Sequence, residues 1–316
     1  MPATSSAPRT ASPAARLVVA AALTAAAGLA LHACADGTSA TAPAAGASAS
    51  RGADPGVHRQ YGTPVRLGDG RARTYVLIDQ KAGGRTTEVG VALDERAMEG
   101  LRAPDPSHGE HEDHDMLALP MPQQNRSAFK FVELDWNPRG HGDPYAEAHF
   151  DFHFYTVSQA ERDAILPSDP EYAAKAAREP AAASVPQFVI NPATLLGIPP
   201  VAVAVPQMGM HWLDMRSPEL QMFPGGDPSK FRPFTATFIY GAWDGKFIFM
   251  EPMITRSHIM AKRSASDQAV RDQVIAIPTS PSYPAGDFRP NAYRIAYDAQ
   301  AKEYRIALTR ANAAQE

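Results

Sequence analysis

Alternating apolar and polar positions recur along most of this chain, and long helical periods do not. Thr74 to Ile78, Thr86 to Leu93, Ala128 to Trp136, Phe234 to Trp243, Lys246 to Glu251, Gln273 to Ile277, Ala292 to Tyr297 and Glu303 to Thr309 all read as strands. They are rich in β-branched and aromatic residues and are bounded by Gly, Pro, Asn and Asp. Asp244-Gly245 between two apolar runs predicts a two-residue hairpin turn, with Trp243 opposite Lys246, Tyr240 opposite Phe249 and Phe238 opposite Glu251. Tyr293, Ile295 and Tyr297 are expected to face Tyr304, Ile306 and Leu308 across a closing hairpin. Further short edge strands are expected at Gln187 to Ile190 and Val201 to Val205. Asp94 is placed to cap one short helix ending near Gly100.

Two short helices are predicted outside the sheets. Ser158-Gln-Ala-Glu161 has the form of a capping box, and Asp169-Pro170-Glu171 repeats the start signal with proline at the first helical position. The expected fold is therefore mostly β, an antiparallel barrel or sandwich with two short peripheral helices, in one domain over residues 57–316. The 29 prolines point the same way, because proline breaks helices and is tolerated at strand edges and turns.

The pattern is most informative from Glu147 to Tyr155. As a strand, this segment puts Phe150, Phe152 and Phe154 on one face and Glu147, His149, Asp151 and His153 on the other. The first face is core. The second is a row of titratable groups, which fits a cavity wall or a metal site better than a plain surface. Residues two apart on a strand are roughly 6.6 Å apart and residues four apart roughly 13 Å. Neighbours such as His149 and Asp151 can therefore share one ion, whereas His149 and His153 can do so only across a bulge. Further ligands must come from elsewhere, with His211 first and Glu251 second; Trp212 and Glu147 are candidate cavity-lining residues. Two histidines and a carboxylate suit Zn, Mn or Fe(II). Without a metal, the same residues make an acid–base or ligand-binding cavity, or a paired network buried for structure alone.

A His/acid-rich loop at 104–115 carries His108, His111 and His114. It reads as a solvated polar loop or a flexible chelator; His111-Glu-Asp-His114 is one residue short of the H-E-x-x-H zinc motif.

Composition changes the picture mainly at the N-terminus. Arg9 and Arg16 precede the apolar run Leu17 to Leu31, which is shorter than the roughly 20 residues needed to span a bilayer. The run ends in Leu31-His-Ala-Cys34, so residues 1–33 read as a signal peptide and Cys34 as a lipidation site. Residues 34–56 read as a flexible tether of Ala, Thr, Ser, Gly and Pro. The expected location is outside the cytoplasm, periplasmic or at the cell surface, with a lipid anchor in the membrane. Cys34 is the single cysteine, which excludes internal disulfides and cysteine-based metal sites. Among 316 residues, 44% hydrophobic and 20% charged, acidic residues outnumber basic ones 34 to 30. That balance argues against nucleic acid as a partner.

Five blocks, Val132-Glu-Leu-Asp-Trp-Asn-Pro138, His149-Phe-Asp-Phe-His-Phe-Tyr155, Met208-Gly-Met-His-Trp212, Phe238-Ile-Tyr-Gly241 with Asp244-Gly-Lys246, and Glu251-Pro-Met-Ile-Thr255, occur in an order that resembles a family of exported bacterial proteins of unknown function. The resemblance covers roughly residues 60–310. It implies an exported single domain, possible homo-oligomerisation, and membership of His149, His153, His211 and Glu251 in motif blocks. Two function classes stay open: a metal-dependent or acid–base enzyme, a hydrolase or isomerase on a small polar substrate, and a non-catalytic envelope protein that binds a ligand or assembles with itself.

Overall fold

The computed structural model describes residues 56–105, 115–286 and 288–310. The signal segment, Cys34, most of the tether and His108, His111 and His114 lie outside these residues. In chain order the strands are β1 (Val57–Tyr61), β2 (Val65–Leu67), β3 (Gly70–Asp79), β4 (Arg85–Asp94), β5 (Asp115–Pro120), β6 (Phe131–Asn137), β7 (His149–Tyr155), β8 (Val189–Ile190), β9 (Met210–Asp214), β10 (Ala236–Trp243), β11 (Lys246–Thr255), β12 (Asp272–Ala276), β13 (Ala292–Asp298) and β14 (Glu303–Thr309).

They form two antiparallel seven-stranded sheets. One runs β1-β3-β4-β14-β13-β12, with β2 on β3, and the other β5-β6-β7-β11-β10-β9-β8. Neither sheet closes on itself among the described residues. Their facing sides share one core, which joins Val76, Val89, Val91, Ile295 and Ile306 of the first sheet to Phe150, Phe152, Phe154, Met250 and Ile254 of the second. The architecture is a sandwich, and the alternation of each strand decides which residues enter that core.

Local chemistry made several elements readable. Asp244 and Gly245 both have positive φ, 48° and 76°, as the tight hairpin turn between β10 and β11 requires. β13 and β14 pair Tyr293 with Leu308, Ile295 with Ile306 and Tyr297 with Tyr304, the expected register. Ser158 caps the helix Gln159–Asp163 through a full capping box, and a second helix spans Tyr172–Ala176. Asp94 accepts from the Ala97 amide at 2.9 Å and starts a 3-10 turn over Glu95–Met98.

Elsewhere the structure differs from expectation. Three more helices occur, at Pro192–Leu196, Arg256–Ser264 and Gln268–Arg271. The second of these follows β11 directly: Thr255 accepts from the His258 amide, an N-cap that the apolar run before it obscured. Val201 to Val205 is not a strand. Pro199 and Pro200 divert it into a 3-10 turn, and Val205 keeps only an isolated bridge to Gly209. β9, with His211 and Trp212, was not foreseen as a strand.

The hairpin register also departs from the simple count. Ala242 pairs with Phe247, but Gly241 pairs with Phe249 and Ile239 with Glu251. Ile248 is the extra residue of a β-bulge, so Glu251 faces Ile239 and not Phe238. Phe247 points into the inter-sheet core, while Phe249 packs on the opposite face with Tyr155.

Candidate metal centre

β7 lies between β6 and β11 in the middle of the second sheet. Its phenylalanines fill the inter-sheet core, and His149, Asp151 and His153 point to the sheet's outer face. That face is itself covered. Ile165, just past the first helix after β7, and Tyr172, in the second, close one end over Phe131, Tyr155 and Phe249. Tyr145 and Phe234 close the other over Ile239 and Met253. Between these apolar lids runs a buried polar row: Glu133, Asp135, His149, Asp151, His153 and Glu251 are each no more than 4% exposed.

The row divides into three groups of side chains whose ligand atoms approach within 4.8 Å of one another: His141, His149 and Asp151; His153, His211 and Glu251; and Glu133, Asp135 and His153. The split of His149 from His153 follows from strand rise, as four residues along one strand are too far apart to meet.

In the first group hydrogen-bonding contacts satisfy Asp151 Oδ2, whereas Asp151 Oδ1 and His149 Nε2 are buried without a hydrogen-bond partner. Asp151 Oδ2 accepts from Asn137 Nδ2 at 2.8 Å and lies 3.0 Å from His141 Nε2, while Oδ1 lies 3.2 Å from His149 Nε2. His149 Nδ1 is 2.6 Å from the Glu147 carbonyl oxygen. Burial alone would raise the Asp151 carboxyl, but His149 and His141 outweigh it and hold the group well below its usual range. Burial likewise pulls His149 down, and the Asp151 charge more than offsets this, so its proton is held above the ordinary histidine range.

The second group is built differently. His153 Nε2 is 3.6 Å and His211 Nε2 is 3.8 Å from Glu251 Oε2. These separations exceed hydrogen-bond length. They match ligands sharing one ion, since donors about 2.1 Å from a tetrahedral centre stand about 3.4 Å from one another. Glu251 Oε2 is buried with no hydrogen-bond partner, and so is Asp135 Oδ1, while Asp135 Oδ2 lies 3.6 Å from His153 Nδ1. Burial raises Glu251 well above the normal carboxylate range, with Asp151 adding to it; burial raises Asp135 likewise, helped by Asp151 and Glu251. Burial lowers His211 to about 4, so its imidazole is neutral at pH 7, the form that binds metals.

The donors come from β7, β11 and β9, and in the sheet β10 stands between β11 and β9. His211 can reach Glu251 only if β10 presents nothing tall at the crossing. The residue opposite His211 is Gly241, and a Cβ there would sit 2.0 Å from the Phe249 ring. That ring lies over the glycine and packs edge-on to both imidazoles, 4.9 Å from His153 and 5.2 Å from His211.

In the third group, Glu133 is paired with Arg162 of the helix Gln159–Asp163. One carboxylate of the row is thus neutralised by protein, leaving Asp135, Asp151 and Glu251 as neighbours.

Two expected cavity residues fall elsewhere. Glu147 precedes β7 and is exposed, because β7 begins only at His149. Trp212 is the inward neighbour of His211 and packs in the inter-sheet core. The contributors that sequence reasoning missed are His141, Asp135, Glu133 and Arg162. Glu133 and Asp135 alternate on β6 as His153 and Asp151 do on β7, and each pair stands directly opposite, Glu133 to His153 and Asp135 to Asp151. That alternation was the available signal; His141 and Arg162 had none.

A family model described as TTHB210-like, "Hypothetical protein TTHB210", matches residues 82–136. The matched stretch carries Glu133 and Asp135 of the polar row and ends before β7. No curated protein and no solved structure matches the chain. The similarity is thus to an uncharacterised family, over a small part of this chain.

Proposed function

We propose that this chain is an exported, lipid-anchored protein that binds one divalent cation through His153, His211 and Glu251, with Asp135 alongside. The observation that carries the reading is the gap at Glu251: a buried carboxylate oxygen with no hydrogen-bond partner, 3.6 and 3.8 Å from two imidazole nitrogens. Burying an ionised carboxylate without a partner is costly, and a cation removes that cost. Two imidazoles and a carboxylate select Zn, Mn or Fe(II) over Ca or Mg, which prefer oxygen donors.

The site is tightly enclosed. The side chains of His153 and Glu251 are 1% and 2% exposed, and that of His211 is 21%. Such enclosure favours an ion held for binding or stability over turnover of a substrate. A second reading, an acid–base site, draws support from His141, which brings the Asp151 group to solvent with a side chain 31% exposed. Export and anchoring rest on the Leu17 to Leu31 run and on Cys34.

Protein purified without a histidine tag and analysed for metal by mass spectrometry tests the reading. The expected result is one divalent ion per chain, lost in His211→Ala and Glu251→Gln and kept in His149→Ala. A folded wild-type protein that neither carries a metal nor takes one up from added Zn or Mn overturns it. Loss of metal in His149→Ala alone would move the site to the Asp151 group.

A further inference from the structure

His141, His149 and Asp151 share no residue with the ligands assigned above, and their contacts call for a cation of their own. His149 Nδ1 lies 2.6 Å from the Glu147 carbonyl oxygen. A carbonyl oxygen only accepts, so Nδ1 carries the ring hydrogen and Nε2 is left as the ligand atom. That nitrogen faces Asp151 Oδ1 at 3.2 Å, and both atoms are buried without a hydrogen-bond partner. Burying a carboxylate oxygen against a nitrogen lone pair is costly, and a cation held between them removes the cost.

The supports around the pair are those of metal ligands. A ligating histidine gives its other N–H to a carbonyl and a ligating carboxylate is held by a further hydrogen bond; Asn137 Nδ2 holds Asp151 Oδ2 in this way at 2.8 Å. Adjacent donors about 2.1 Å from a six-coordinate ion stand about 3.0 Å apart. The separations here are 3.2 Å from His149 to Asp151 Oδ1 and 3.0 Å from His141 Nε2 to Oδ2. β7 fixes two of the donors on one face, and the loop before it returns the third. Gly140, at φ 67°, lets that loop fold so tightly that a Cβ would stand 2.1 Å from the Tyr145 carbonyl oxygen, and the His141 amide donates to the same oxygen at 3.1 Å. The side chains of His149 and Asp151 are 0% and 5% exposed, that of His141 31%. An ion here would be reached from solvent past His141, with positions left for water.

We infer that His141, His149 and Asp151 bind a second divalent cation, of the Zn, Mn or Fe(II) class, which exchanges with solvent while the ion on His153, His211 and Glu251 stays enclosed. Binding displaces to solvent any proton held between the imidazoles and the carboxylate. That competition makes this ion the weaker of the two and the one lost on purification. The two sites share no ligand, so either can fail alone.

The test is zinc titration of the full-length protein, followed by calorimetry and native mass spectrometry. The parent chain carries His108→Ala/His111→Ala/His114→Ala, so that the histidine-rich loop adds no ligand. The expected result is two ions per chain, one retained through purification and one added. His141→Ala should weaken the added ion by about 10- to 100-fold or more, the cost of losing even an outer partner, and leave the retained ion in place. His141 lies part-exposed on a loop, so this variant should melt with its parent; Asp151→Asn, close in shape, should lose the added ion too. His211→Ala should lose the retained ion and still take up the other. Failure of the parent to bind any zinc beyond the ion that His211→Ala removes, or an unchanged affinity in His141→Ala, overturns the site. A single ion lost in His141→Ala but kept in His211→Ala would uphold this site and overturn the enclosed one.

Discussion

Glu251 faces Ile239 across the β10–β11 ladder, one residue away from the pairing that the Asp244-Gly245 turn would set by simple counting. Because side chains alternate along a strand, one extra residue moves every later side chain to the opposite face. The bulge at Ile248 therefore turns Glu251 out of the inter-sheet core and toward His153 and His211. Gly241, at the shift, is also the residue opposite His211.

Gly241→Ala is accordingly a sharp probe. Its Cβ would meet Phe249 Cε1 at 2.0 Å, and Phe249 is fully buried against both imidazoles. The variant should lose about 1–3 kcal/mol in denaturant unfolding, as overpacked cores do, and bind metal more weakly. Unchanged stability with full metal content would refute the role given to the bare backbone at this crossing.

Arg162 tests a second buried relationship. Removing its guanidinium leaves Glu133, fully buried, with an uncompensated charge, and Arg162→Ala should cost about 3–5 kcal/mol. Arg162→Met combined with Glu133→Gln should recover most of that loss, because the charge that needed a partner is gone. Urea melts of the two variants decide the matter; equal destabilisation in both would point to lost packing of the helix instead.

Stability of the metal-free protein should depend on pH in a definite direction. Asp135 and Glu251 hold their protons more tightly folded than unfolded. Their contribution is present below the unfolded values near 3.9 and 4.3 and is lost as pH rises through the raised folded ones. Asp151 acts oppositely: its carboxyl is lowered, so its contribution is present above about 3.9 and is lost as pH falls through its folded value. The melting temperature of chelated protein should therefore decline as pH rises above the acid range, and added Zn or Mn should remove the decline. The Asp135→Asn/Glu251→Gln variant should show a flatter profile. An identical profile in wild type and variant would contradict the assignment.

The anchor is tested by cell fractionation. Cys34→Ser should move the protein from the membrane fraction to the soluble envelope fraction, with the fold unchanged. Continued membrane association would count against lipidation.

Much of the sandwich was legible in the chain because the relevant signals are local. Alternation in Ala292 to Tyr297 and Glu303 to Thr309 specified both strands and their register, and Ser158 with Glu161 specified a helix start. The inward phenylalanines of β7 and the outward row of His149, Asp151 and His153 followed from strand period alone. Glu147 fell outside the row because β7 starts two residues later than the pattern suggested. The apolar stretch through Met253 hid the helix Arg256–Ser264, whose start depends on a single side-chain cap.

What the sequence determined by itself is thus a β-rich chain with one titratable strand face, since side-chain alternation is a property of neighbouring residues. Which of those groups meet was decided by the tertiary structure. The Ile248 bulge, the sheet order that sets β10 between His211 and Glu251, and the loop that returns His141 to Asp151 are all outcomes of tertiary packing. No local period encodes them, because they are settled only when the strands are packed side by side and their polar faces are covered together.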